Sequence, residues 1–186
     1  SQAKADLIRP LNARFGEGEA RAMLRLIWEE VFQARLLPAA DFELSAEQSE
    51  RLTDIKERIL GGEPIQYVLG QTWFYGFRFR CDQRALIPRP ETEELVHWML
   101  EMHGPNPPLR VLDIGAGSGC IAVTLKHKRP LWEVTALDFS ADALALTLEN
   151  AGMYWLEAES RGTSSMEGKP VNSMSTYVAV LEVLPG

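Results

Sequence analysis

Between Val111 and Leu125 the chain reads VLDIGAGSGCIAVTL, which sets Gly115, Gly117 and Gly119 between two apolar runs. Glycine costs backbone entropy, so three at alternate positions call for a tight turn or for a ligand that touches the backbone. Two carboxylates sharpen the choice. Asp113 stands two residues before the first glycine, at the carboxyl end of a predicted strand, and Asp138 closes a second apolar run, WEVTALDFS. In a doubly wound sheet an acidic side chain at that second position lies beside the glycine turn and accepts both ribose hydroxyls of an adenosine. Bare backbone at Gly115 and Gly117 admits the ligand, and a helix starting near Gly119 aims its free N–H groups into the same crevice. The chemistry on offer is recognition of a nucleoside.

The identity of that nucleoside turns on charge and spacing. The dinucleotide fingerprint GxGxxG needs its third glycine at position 120, which is Cys120. A negative charge at the loop mouth, from Asp113, repels a pyrophosphate and suits the ammonium of an amino-acid moiety. This favours S-adenosylmethionine over NAD; a turn with no ligand is the remaining alternative. His97, His103 and His127 are scattered on helices or linkers, are taken as surface residues, and form no His/Asp pair or metal set.

These residues need a scaffold, and the chain supplies its pattern. The first sixty residues read as helices. Ala22, Leu26, Trp28 and Val31, with Leu24 and Ile27 beside them, recur at helical spacing. LSAEQSERLTDIKERILGG predicts a helix with a capping box at Ser45 and Gln48, a buried stripe at Leu52, Ile55 and Ile59, and a stop at Gly61-Gly62. WFYGFRFR, with Phe77, Arg78, Phe79 and Arg80 alternating after Gly76, predicts a β-hairpin. Its interleaved arginines and aromatics resemble a nucleic-acid surface, but two arginines on one outward face are read as solvated. Pro88 and Pro90 stop that strand, Glu91 to Glu101 reads as a helix, and HGPNPPL is a linker. Strand, glycine loop, helix (CIAVTLKHKRP), strand and helix (ADALALTLENAG) then follow, which predicts a parallel sheet covered by helices.

Composition sets outer limits. The 186 residues are 46% hydrophobic and 24% charged, enough to bury a core without metals or disulfides. The net charge of −7 argues against broad affinity for nucleic acid or anionic membrane. Cys81 and Cys120 lie far apart in apolar contexts and read as two buried, reduced thiols. No apolar run reaches the roughly 20 residues of a membrane span, and the first residues lack a signal peptide's hydrophobic stretch.

Taken together, GEPIQYVLG, WFYGFRF, LIPRPETEELV, VLDIGAGSGCIAVTL and VTALDFSADALALTLENA resemble the HemK/PrmC family of peptide chain release factor glutamine-N5 methyltransferases. LIPRPETE is the specific part, since many methyltransferases share the glycine loop. The resemblance implies a Rossmann-like α/β methyltransferase sheet, incomplete here, behind a small helical N-terminal domain and a hairpin. It implies three parts: residues 1–72 as a helical substrate-binding domain, 73–108 as hairpin and linker helix, and 109–186 as the methyltransferase domain with an atypical tail from 153. It puts S-adenosylmethionine on Gly115, Ala116, Gly117, Ser118 and Gly119, with Asp138 on the ribose and Asp113 facing the methionine end. Arg89, Pro90, Glu91 and Thr92 are implied to lie near the cofactor and the incoming glutamine; read from the residues alone, Arg89 and Glu91 serve equally well as caps of the helix starting there. The implied partner is a release factor, the implied setting the cytoplasm (a mitochondrion in a eukaryote), and the implied state a monomer.

One part of the family pattern is not met. The family aligns the amide with an Asn-Pro-Pro-Tyr loop after its fourth strand, whereas Asn106 to Leu109 reads NPPL and precedes the first strand of the sheet. After Gly152 neither that loop nor a third-strand acidic residue follows. Ser160 to Ser175 reads as a loop and Thr176 to Leu184 as one strand. The expectation is a chain truncated, spliced or frame-shifted after the second helix of the sheet domain, with a catalytic member and a non-catalytic binding module as the competing outcomes.

Overall fold

A computed structural model of the chain describes residues 2–32, 44–154, 156–163 and 176–183. It divides into two compact units, Ser1–Leu69 and Gly70–Gly186.

The first unit holds helices α1 (Gln2–Phe15), α2 (Glu17–Phe32), α3 (Ala46–Leu60) and α4 (Ile65–Leu69). The capping box forms as expected: Gln48 N–H donates to Ser45 Oγ at 3.1 Å, and Ser45 N–H to Gln48 Oε1 at 3.0 Å. Leu52, Ile55 and Ile59 are buried, against Leu11, Ala20, Leu24 and Ile27. On α2 the buried stripe is Ala20, Met23, Leu24, Ile27 and Trp28, whereas Ala22 is exposed and Leu26 half-buried. The expected face was therefore rotated: i, i+3, i+4, i+7 counted from Ala20 keeps the larger side chains inside. The short helix Ile65–Leu69 closes the unit, with Ile65 and Val68 buried.

The second unit opens with a hairpin of β1 (Gln71–Phe74) and β2 (Phe77–Arg80), antiparallel with Phe74 opposite Phe77. Helix α5 (Pro90–Met102) leads to β3 (Arg110–Ile114), α6 (Cys120–Lys128), β4 (Glu133–Asp138), α7 (Ala141–Gly152), β5 (Leu156–Thr163) and β6 (Thr176–Val183). Their four-stranded sheet has the order β3-β4-β6-β5. β3 and β4 are parallel, as the strand–helix–strand pattern predicts, but β6 lies antiparallel on both β4 and β5. The sheet is thus mixed, and the second unit is an incomplete Rossmann-like sheet. The expected strand at Thr176 is β6, and it covers the edge of β4. Residues 160–163, expected in a loop, belong to β5; residues 164–175 lie outside the described residues.

One face of the sheet packs on helices, with Val134, Ala136, Leu125, Trp132, Leu144 and Ala151 in the core. The other face of β3 is bare: Leu112 is 54% exposed and Ile114 77%. The cysteines are free and buried, and burial pushes both the Cys81 and Cys120 thiols up to about 11. Among the described residues no helix is long and apolar enough to cross a membrane, and no cluster of side chains suits a metal ion.

Candidate functional site: the glycine loop and its supports

The loop from β3 to α6 is built on three left-handed glycines, Gly115 (φ +80°), Gly117 (φ +58°) and Gly119 (φ +78°), a region that side chains rarely enter. It is anchored to the end of β4. Gly115 and Ala116 N–H both donate to Leu137 O, at 2.7 and 3.0 Å. The Asp138 carboxylate, buried, accepts Gly117 N–H through Oδ2 and Ser140 N–H through Oδ1, each at 2.9 Å. Asp138 therefore first shapes the loop. Each of its oxygens keeps a second lone pair for a further donor.

From below, the loop rests on α7. Thr147 Oγ1 donates to Gly117 O at 3.0 Å, and Asn150 Nδ2 to Ser118 O at 2.9 Å. A Cβ on Gly119 would stand 2.7 Å from Thr147 Cγ2, so this glycine is required by packing. At Gly115 the same test meets nothing within 4 Å. The two glycines differ in purpose: Gly119 lets the helix close on α7, and Gly115 leaves an open cradle.

Asp113 completes the mouth of the loop. Its Oδ2 is buried without a hydrogen-bond partner, and burial, reinforced by the charge of Asp138, holds its carboxyl above the ordinary range. A half-buried carboxylate with an unsatisfied oxygen suits a cationic group, and the open cradle beside it suits a flat or extended ligand. The residues present thus fit an adenosyl amino acid: a cation acceptor, bare backbone and a second carboxylate.

Arg89, Pro90, Glu91 and Thr92 form the start of α5, with Thr92 N–H donating to Arg89 O at 3.0 Å. Arg89 sits at the N-cap but its side chain makes no cap hydrogen bond, so the capping reading holds for its backbone alone. The contact of this stretch with the glycine loop comes earlier, at Ala85, whose Cβ lies 3.6 Å from the place of a Cβ on Gly117. His97, His103 and His127 are exposed, as expected; His127 meets Phe77 edge-on at 4.8 Å.

Sequence reasoning missed the supports. Arg84 pairs with Glu149 at 2.7 and 3.0 Å and with Asp82 at 2.7 Å. These hydrogen bonds hold the Asp82 and Glu149 carboxyls below their ordinary range and raise Arg84 further. Asn150 and Tyr154 bond the backbone of β2. A signal was present: in ADALALTLENAG, Thr147 and Asn150 are polar residues on the stripe that Ala143, Leu144 and Ala151 bury. A polar side chain on a buried stripe has a partner to find.

Residues 8–70 match the PrmC N-terminal domain, and residues 94–175 match the Methyltransferase small domain. Among relatives, the release factor glutamine methyltransferase of Enterococcus faecalis is 47% identical over 109 residues, covering 59% of this chain and 39% of that protein. Those of Lactococcus lactis subsp. lactis (38% over 147 residues; 79% and 51%) and Flavobacterium psychrophilum (36% over 154; 80% and 54%) match over more of the chain. The chain spans about half the length of these relatives or less.

Proposed function

Because the chain belongs to the HemK/PrmC family, we propose that it serves the S-adenosylmethionine-dependent N5-methylation of a glutamine side chain in peptide chain release factors. One observation carries the cofactor half of this reading: the Asp113 carboxyl keeps a buried Oδ2 without a hydrogen-bond partner, two residues before a left-handed glycine, Gly115, whose absent Cβ would meet nothing within 4 Å. When bound, S-adenosylmethionine supplies a methyl group activated by a sulfonium.

What the chain must do is bind and align. Asp113 pairs with the ammonium of the methionine moiety, and Asp138 offers its remaining lone pairs to the ribose hydroxyls. Ala116, Ser118 and the flanking glycines line the nucleoside with backbone. An amide nitrogen is a weak nucleophile that needs orientation rather than a strong base. Arg89, Pro90, Glu91 and Thr92 are the residues of this chain assigned to its neighbourhood, while the helical unit engages the release factor. No residue here is given the role of the family's Asn-Pro-Pro-Tyr loop. The setting we assign is the cytoplasm.

Calorimetric titration with S-adenosylmethionine tests the reading. Binding is expected in the chain as it stands and is abolished by Gly117→Val. Gly115→Ala, whose Cβ would occupy the cradle without touching protein, weakens binding while leaving the melting temperature within a few degrees. Binding unchanged in both variants overturns the site. Retention of a release factor by the immobilised chain tests the partner; a factor that elutes like an unrelated acidic protein counts against it.

A further inference from the structure

Among the described residues strand β2 pairs with β1 alone, yet its outer edge is closed. The closure is made by side chains. Asn150 Oδ1 accepts Arg80 N–H at 2.7 Å while its Nδ2 donates to Arg80 O at 3.2 Å, as a neighbouring strand would. The Tyr154 hydroxyl repeats this on Arg78, accepting the N–H at 2.7 Å and donating to the carbonyl. Residues two apart on a strand thereby meet residues four apart at the end of α7. Asn150 is wholly buried, and its Nδ2 also holds Ser118 O in the glycine loop. Next to it, Glu149 grips Arg84 with both oxygens and reaches Arg80 at 3.3 Å. Ala85 then lies against Gly117, immediately before the stretch that leads to Arg89.

We propose that Glu149 and Asn150 are positioning residues that lock residues 78–85 to the glycine loop, so that the cofactor seat and the approach to Arg89–Thr92 respond as one unit. The proposal rests on the S-adenosylmethionine reading above. Its physical content is that one amide group serves two segments. Whatever fixes Ser118 O when ligand enters the cradle also fixes Arg80, and through Arg84 the loop behind it. A merely structural role predicts loss of stability in variants; the coupling predicts a change in which segments a ligand protects.

Amide hydrogen exchange with and without S-adenosylmethionine separates the two. In the parent chain, saturating ligand slows exchange in both 115–119 and 78–85. Asn150→Asp keeps the acceptor for Arg80 N–H but turns both donors into an acceptor facing two carbonyls. Its affinity is expected to fall about tenfold, the loss of one charge-free hydrogen-bond set. Protection at 115–119 persists while that at 78–85 disappears. Glu149→Gln, which leaves Arg84 paired with Asp82, keeps the fold should the first variant fail to fold; it loses ligand-induced protection at 82–85 alone. Joint protection of both segments in the folded variants overturns the coupling and leaves the binding site standing. A parent chain that binds no S-adenosylmethionine overturns the binding reading, and this proposal with it.

Discussion

Gly119→Ala is the sharpest test of how the loop is built. Two costs meet at this residue. Its φ of +78° puts an added side chain in the left-handed region, worth about 1 to 2 kcal/mol. The new Cβ would also stand 2.7 Å from Thr147 Cγ2 and 3.1 Å from its Cβ and Oγ1. Thr147 cannot retreat, because it is wholly buried and its hydroxyl is held by Gly117 O. Overpacking of this kind costs about 1 to 3 kcal/mol, so the sum is about 3 kcal/mol. For a chain of this size that lowers the melting temperature by about 6 to 12 °C. Gly115→Ala meets only the backbone term, about 1 kcal/mol, because its Cβ enters open space. Thr147→Ser removes the nearest methyl, so the double variant Gly119→Ala/Thr147→Ser should be less damaged than the sum of the two single ones. Scanning calorimetry on the four proteins decides. Equal losses for the Gly115 and Gly119 variants, or strict additivity with Thr147→Ser, would refute the packing argument.

Two further outcomes follow from ionisation. Asp82 and Glu149 have folded pKa values below the unfolded ones, so their contribution is present above the ordinary carboxylate range and is lost as pH falls through the lowered values. Asp113 runs the other way: its raised carboxyl favours the fold at low pH and loses that contribution as pH rises through its folded value. Urea midpoints at pH 4 and pH 7 should therefore converge in Glu149→Gln, and Asp113→Asn should gain stability at pH 7 while losing affinity for S-adenosylmethionine. The thiols of Cys81 and Cys120, raised to about 11, should alkylate at pH 8 only as fast as the unit opens, and at the rate of free cysteine in denaturant. Rapid labelling of the folded chain would contradict their burial.

Much of the site could be read from residue order because its signals are local. The glycines announce a left-handed bend in their own backbone, Ser140 caps its own helix, and β4 ends at Asp138 as expected, although the side chains that the glycines bond and pack against lie 21 or more residues away. The phase of α2 failed because Ala22 is small enough to be indifferent to its side, and the true stripe is set by Met23 and Ile27. β5 was not legible either: LEAESRGT alternates only over Leu156–Glu159, and its polar second half is a strand because β6 lends it hydrogen bonds. The clamp between Arg80 and Asn150 joins residues 70 apart, and no local rule announces such a pair. Only the misplaced polarity of Thr147 and Asn150 hinted at it.

The naked flank of β3 has a consequence for the molecule in solution. Among the described residues its outer edge pairs with no strand, and Leu112 and Ile114 stand out beside it. The outward-pointing donors and acceptors of this five-residue strand, greased on one side, are an invitation to any passing extended polypeptide. Arg110 and Glu133, paired at 3.2 Å on the surface, guard only the far end. High protein concentration is the condition that brings such a half-clothed sheet against another of its kind.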